Sequence, residues 1–156
     1  MPHRRTIREP RHPKLTRNAE RLALGALSAL AWFGVLLQLR LSIRLSIGNG
    51  ESVVHGLVMY FGYFTVLTNI LVAVVASSRI TGARTGLASE SLRGCATTAI
   101  LVVGLGYHFL LRNIWNPEGW QWVADVVLHY AVPLAALVHW CLFPPRTRLP
   151  AVAPLA

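Results

Sequence analysis

Charge is scarce in this chain. Only 13% of its residues are charged and only six are acidic, where a soluble domain carries about a quarter charged residues. With 54% of residues hydrophobic and a mean hydropathy of +0.49, the chain reads as an integral membrane protein. Cysteine is scarcer still: Cys95 and Cys141 stand too far apart for a zinc motif, and a metal or haem site on His108 and His129 is the weakest reading, since two histidines and one Asp make an unspecific set, so no cofactor is expected. Aromatic residues are absent from the basic N-terminus, where seven of the fifteen Lys and Arg lie within the first 21 positions. Base stacking therefore has no platform there. The arm reads as a juxtamembrane segment drawn to lipid head groups rather than a nucleic-acid binder. At 156 residues the chain holds one bundle and no second domain of ordinary size.

What is present is a succession of long apolar runs. Residues 1–21 are Pro- and Arg-rich without apolar periodicity, and are expected to form a disordered tail. Residues 22–39 are uncharged and long enough to span; no small-residue cleavage site follows closely, so the segment is expected to be retained. Arg40, Arg44 and the Gly48-Asn49-Gly50 turn formers predict a loop before the second span, 53–78. A loop is expected over 79–94, a third span over 95–111 and a fourth over 120–143, with a tight hairpin at Asn116-Pro117-Glu118-Gly119 between the last two. Trp115, Trp120 and Trp122 stand beside that hairpin as interfacial anchors, and residues 144–156 form a short tail. The expected fold is all-α, a polytopic bundle of four transmembrane helices.

Counting basic residues on alternating sides gives twelve against three, in favour of the side that holds both tails. Both termini are accordingly expected in the cytoplasm of a multi-pass protein of the plasma membrane. On that topology both cysteines lie towards the reducing side, and no structural disulfide is expected.

Ionisable groups inside such runs are expensive and mark candidate sites. Asp125, His129 and Pro133 are four apart and share one helix face; Pro133 has no N–H and leaves the His129 carbonyl without its helical partner. Thr65, Thr68 and Asn69 form a polar patch on the second span, for which helix packing and bonding back to the preceding turn is the competing reading. Thr65 and His129 come out roughly 20 and 15 Å below the outer surface, deep enough to meet. His108 and Arg112 share a face near the mouth, where an Arg112–Asp125 ion pair is expected, with snorkelling as the competing reading for Arg112. His55 and His139 are read as interfacial and kept out of the site.

The YFTVLTNIL segment, together with YHFLLRNIWNPEGWQWVADVVLHYAVPLAALVHW, resembles the bacterial branch of the androgen-induced and androgen-dependent membrane protein family. The likeness runs over about residues 20–145, with its most specific part between Tyr107 and Trp140. It implies an intramembrane hydrolase of fatty acid esters of hydroxy fatty acids, with Thr65 at the nucleophile's position and His129 at the histidine's. On that footing Asp125 would orient the imidazole and Thr68 or Asn69 would donate to the oxyanion. Members of the family usually carry two spans more than the four read here, so the pocket is expected to be open, completed by another chain, or inactive. The implied partners are membrane lipids, a lipid ester substrate and a second copy of the chain. Two other classes compete: a carrier built on the Arg112, Asp125 and His129 series, and a non-catalytic membrane subunit whose polar residues only pack helices.

Overall fold

A computed structural model describes residues 13–82 and 86–145, with the backbone alone for 13–16. In lipid the backbone must satisfy its own polar groups, and the regular structure among the described residues is all helical. The helices are α1 (Pro13–Gly48), α2 (Val53–Gly62), α3 (Phe64–Thr81), α4 (Glu90–Gly106), α5 (Gly119–Val126) and α6 (Val132–Leu142). A π turn extends α4 over Tyr107–Leu111, and another joins α5 to α6 over Val127–Ala131. Four stretches are long and apolar enough to cross a membrane: Arg17–Gly48, Phe64–Thr81, Glu90–Leu111 and Gly119–Leu142. The chain is a four-span helical membrane protein.

Its element boundaries depart from the hydropathy reading. The 36 residues of α1 run about 54 Å, well past a hydrocarbon core of about 30 Å. The helix absorbs residues 13–21 and 40–48, assigned above to a tail and a loop, because basic residues at four-residue spacing continue a helix while their head groups reach water. Arg40 and Arg44 are exposed on it. Residues 1–12 and 146–156, including most of both tails, lie outside the described residues.

The second hydrophobic run is not one helix. Its backbone turns extended at Tyr63 (φ −82°, ψ 118°), directly after Gly62, a poor helix former. The following connection is also shorter than expected: α3 continues to Thr81, and α4 starts at Glu90 with the Ser89 hydroxyl capping the Leu92 amide. Arg79 and Arg93 are therefore helical residues, and Arg93 is buried.

The α1 and α2–α3 stretches pack antiparallel, as their contacts in sequence show: Arg21 donates to the Ile80 carbonyl, Ser28 bonds Ser77, and Tyr60 donates to the Val35 carbonyl. Small residues let the helices approach closely. Ala31, Ala73, Ile100 and Val132 are wholly buried where α1, α3, α4 and α6 meet. Near the start of α1 the bundle is fastened by charge. Arg79 reaches Glu90 at 3.1 Å and Glu20 at 3.5 Å, and Arg93 reaches Glu90 at 2.7 Å and the Phe143 carbonyl at 2.8 Å. Arg93 also lies 4.6 Å from the Trp140 ring centre. His139, placed at the interface from sequence, is buried beside this cluster and against Phe143. Cys95 and Cys141 are exposed and free.

Candidate functional site

At the other end of α1, a cavity of about 500 Å³ opens between α1, α2, α5 and the end of α4, within the size range of small-molecule sites. Thr65, Tyr107, Asp125 and His129 all line it. Thr65 stands in the first turn of α3, immediately after the extended Tyr63. The break in the run thus turns a mid-helix threonine into one at a helix start. Helix starts leave their first amides without intrahelical partners and carry the positive end of the dipole, and the Tyr63 side chain does not cap them.

Facing Thr65 is the second π turn. Inserting a residue into a helical turn changes which side chains point inward, and such turns occur often at functional sites. Here it carries His129, whose Nε2 lies 3.3 Å from the Thr65 hydroxyl oxygen. On the other side of the ring, Nδ1 is 3.0 Å from the Asp125 carbonyl and 3.3 Å from the Asp125 carboxylate. Both groups facing Nδ1 are acceptors, so Nδ1 carries a proton. In the neutral imidazole Nε2 is then an acceptor aimed at the threonine hydroxyl. Asp125 is buried and His129 half-buried.

Tyr107, from the first π turn, stacks on the His129 ring at 3.9 Å between centres and 18° between planes, and its hydroxyl interacts with the Asp125 carboxylate. The imidazole is thereby held by a hydrogen bond at each nitrogen and an aromatic face. Space for this comes from Gly104 on α4: a Cβ there would lie 3.0 Å from the His129 carbonyl oxygen and 3.3 Å from the Pro133 ring. The His129 carbonyl is thus packed against a glycine.

The other residues singled out from sequence are placed differently. Thr68 donates its hydroxyl back to the carbonyls of Phe64 and Thr65 at 2.9 and 3.0 Å. Asn69, wholly buried, donates to the Thr65 carbonyl at 2.8 Å and the Leu128 carbonyl at 3.2 Å. With their protons so engaged, neither is free to donate to an oxyanion; Asn69 instead ties α3 to the π turn beside His129. Arg112 does not pair with Asp125. It is exposed and lies against His108 at 3.1 Å and Asn113 at 3.3 Å. His108 itself approaches the Tyr130 hydroxyl at 3.4 Å, and neither residue lines the cavity. Asp125 instead faces His129, one turn on.

Sequence reading missed the remainder of the cavity wall. Tyr107 carried only the signal of an aromatic one residue before His108. Gln38, Ser42 and Gln121 join across α1 and α5, Gln121 donating to Gln38 at 3.0 Å and Gln38 to Ser42 at 3.3 Å. His55, set aside as interfacial, lines the mouth with Glu51, 3.9 Å from it. Among the described residues no three His, Cys, Asp or Glu side chains gather as a metal set. What the fold and site define is a polytopic membrane protein with a Thr–His–Asp chain at the base of a mainly apolar cavity. No family model, curated protein or solved structure matches this chain.

Proposed function

We propose that the protein is an intramembrane hydrolase of lipid esters, with Thr65 as nucleophile and His129 as general base, multi-pass in the plasma membrane with both termini cytoplasmic. The observation that carries this reading is the 3.3 Å approach of the Thr65 hydroxyl to His129 Nε2, with Asp125 behind the ring. A threonine hydroxyl is a weak nucleophile unless a base takes its proton as it attacks. In this scheme Nε2 accepts that proton while Oγ1 adds to the ester carbonyl carbon. The protonated imidazole, stabilised by Asp125, returns the proton to the departing alcohol. Water, activated by the same Nε2, then cleaves the acyl-threonine. Charge on the carbonyl oxygen is met by the Phe64 and Thr65 amides at the start of α3, the Val66 and Leu67 amides being bonded to the Tyr63 carbonyl, in place of Thr68 and Asn69. The likeness to hydrolases of hydroxy fatty acid esters points to the same chemistry. The carrier reading, by contrast, loses Arg112 from its charge series.

The test is hydrolysis of a long-chain ester by purified protein. Thr65→Ala and His129→Ala are each expected to lower the rate by about 10²- to 10⁴-fold, and the wild type to accumulate an acyl group on Thr65 detectable by mass spectrometry. Full activity in both variants sinks the proposal.

A further inference from the structure

The walls of the cavity form a ring that packing closes on all sides but one. α1 packs against α2 and against α5, α5 runs into the second π turn, and Tyr107 at the end of α4 stacks on His129 in that turn. The two walls that do not pack on each other are α2 and the end of α4. The break at Tyr63 accounts for this. α3 packs against both α1 and α4, whereas α2, which precedes it in the same hydrophobic run, packs against α1 and α3. One break thus sets Thr65 at a helix start and leaves a slot in the side of the bundle.

The edges of that slot are apolar. Met59 and Tyr63 stand on one side and Leu111, Ile114 and Trp115 on the other; all five line the cavity and all are exposed. α2 is itself an apolar helix, and Leu111 ends a span long enough to cross a membrane. The polar lining lies on the wall away from the slot, where Gln121, Gln38 and Ser42 join α5 to α1. We propose, building on the hydrolase reading, that the slot between α2 and the end of α4 is a lateral opening into the bilayer, and that the acyl chain of a membrane-resident ester reaches Thr65 through it. A cavity of about 500 Å³ suits a small molecule, and a long-chain ester overfills it, so one end projects. The acyl half is methylenes alone. It passes from lipid tails to side chains of the same polarity without loss, whereas a polar group drawn through the slot gives up its hydration. The alcohol half, with its oxygen, falls to the polar wall. Acyl length is then read only over the slot, and the remainder of the chain stays in lipid.

Full-length protein reconstituted in phosphatidylcholine vesicles tests this in two ways. With the exposed cysteines removed as Cys95→Ser and Cys141→Ser, Met59→Cys is labelled with a fluorophore. Brominated lipid chains are expected to quench the label more than iodide in the water does, and a non-hydrolysable long-chain ether is expected to relieve that quenching. Iodide reaching the label better than the brominated chains, or no relief by the ether, overturns the proposal. In the second test, Met59→Trp and Leu111→Trp narrow the slot. Each is expected to shift the kcat/KM ratio of a long-acyl ester to the acetyl ester of the same alcohol by about ten-fold or more towards the acetyl ester, as losing contact over two methylenes does at about four-fold each. An unchanged ratio in both variants also overturns it. Lipid quenching that the ether relieves, in protein that cleaves neither ester, supports the slot and sinks the hydrolase; cleavage of both esters with either slot test failed sinks the slot alone.

Discussion

At the scale of single residues, the His129 ring is held by three neighbours of different kinds, and each can be removed separately. Tyr107→Phe keeps the stacked ring and deletes the hydroxyl that meets Asp125. Losing that polar contact is expected to cost about 0.5–1.5 kcal/mol of stability. Tyr107→Leu loses the stacking as well and is expected to cost more. Thermal unfolding in detergent measures both; equal melting temperatures for wild type and the phenylalanine variant would show that the hydroxyl contributes nothing. Asp125→Asn changes function more than stability. It retains volume and the backbone carbonyl at Nδ1 but removes the charge that stabilises a protonated imidazole, so hydrolysis is expected to fall while ester binding persists. A variant that binds and cleaves as wild type does would assign Asp125 a packing role only.

At the scale of elements, the two π turns and the break at Tyr63 bring the site together, and α4 is where this is most directly tested. Gly104 lies against the His129 carbonyl, whereas a Cβ at Gly106, two residues later, would meet nothing within 4 Å. Gly104→Ala must push the second π turn by a few tenths of an ångström, an overpacking cost of about 1–3 kcal/mol, and is expected to reduce hydrolysis by displacing His129. Gly106→Ala is expected to stabilise the protein by about 0.5–1 kcal/mol, as alanine does in a helix interior. Opposite shifts in melting temperature are the expected outcome; the same shift in both would mean that Gly104 is not a contact point. The four spans were legible because hydrophobic length alone specifies them, and the approach of Thr65 to His129 was expected from their similar depths. The π turns were not, since an inserted residue leaves composition and hydropathy unchanged. The break after Gly62 had only that glycine as its sign. Of the two readings kept for Arg112 the ion pair with Asp125 is not formed, since spacing gives its face but not its direction, and a long side chain at a helix end satisfies itself locally.

At the scale of the whole molecule, cohesion and the candidate chemistry are concentrated at opposite ends. Near the start of α1, Glu90 accepts from both Arg79 and Arg93, and through them links α1, α3, α4 and the end of α6. Arg93 has only 5% of its side chain exposed, so removing its carboxylate partner leaves a buried charge met by the Phe143 carbonyl and the Trp140 ring alone, a loss of up to about 3–5 kcal/mol. Glu90→Gln is therefore expected to lower the melting temperature substantially. The cavity lies at the far end of the bundle, so the variant's kcat on a long-chain ester, measured well below that temperature, is expected to match the wild type. Replacing Arg93 by Met as well removes the stranded charge and is expected to restore much of the lost stability, because apolar side chains of similar volume often substitute for a buried ion pair. Two results would contradict this division. An unchanged melting temperature in Glu90→Gln would mean the pairs are screened like surface pairs, and a fall in kcat equal to that of His129→Ala would mean the two ends are coupled through the helices.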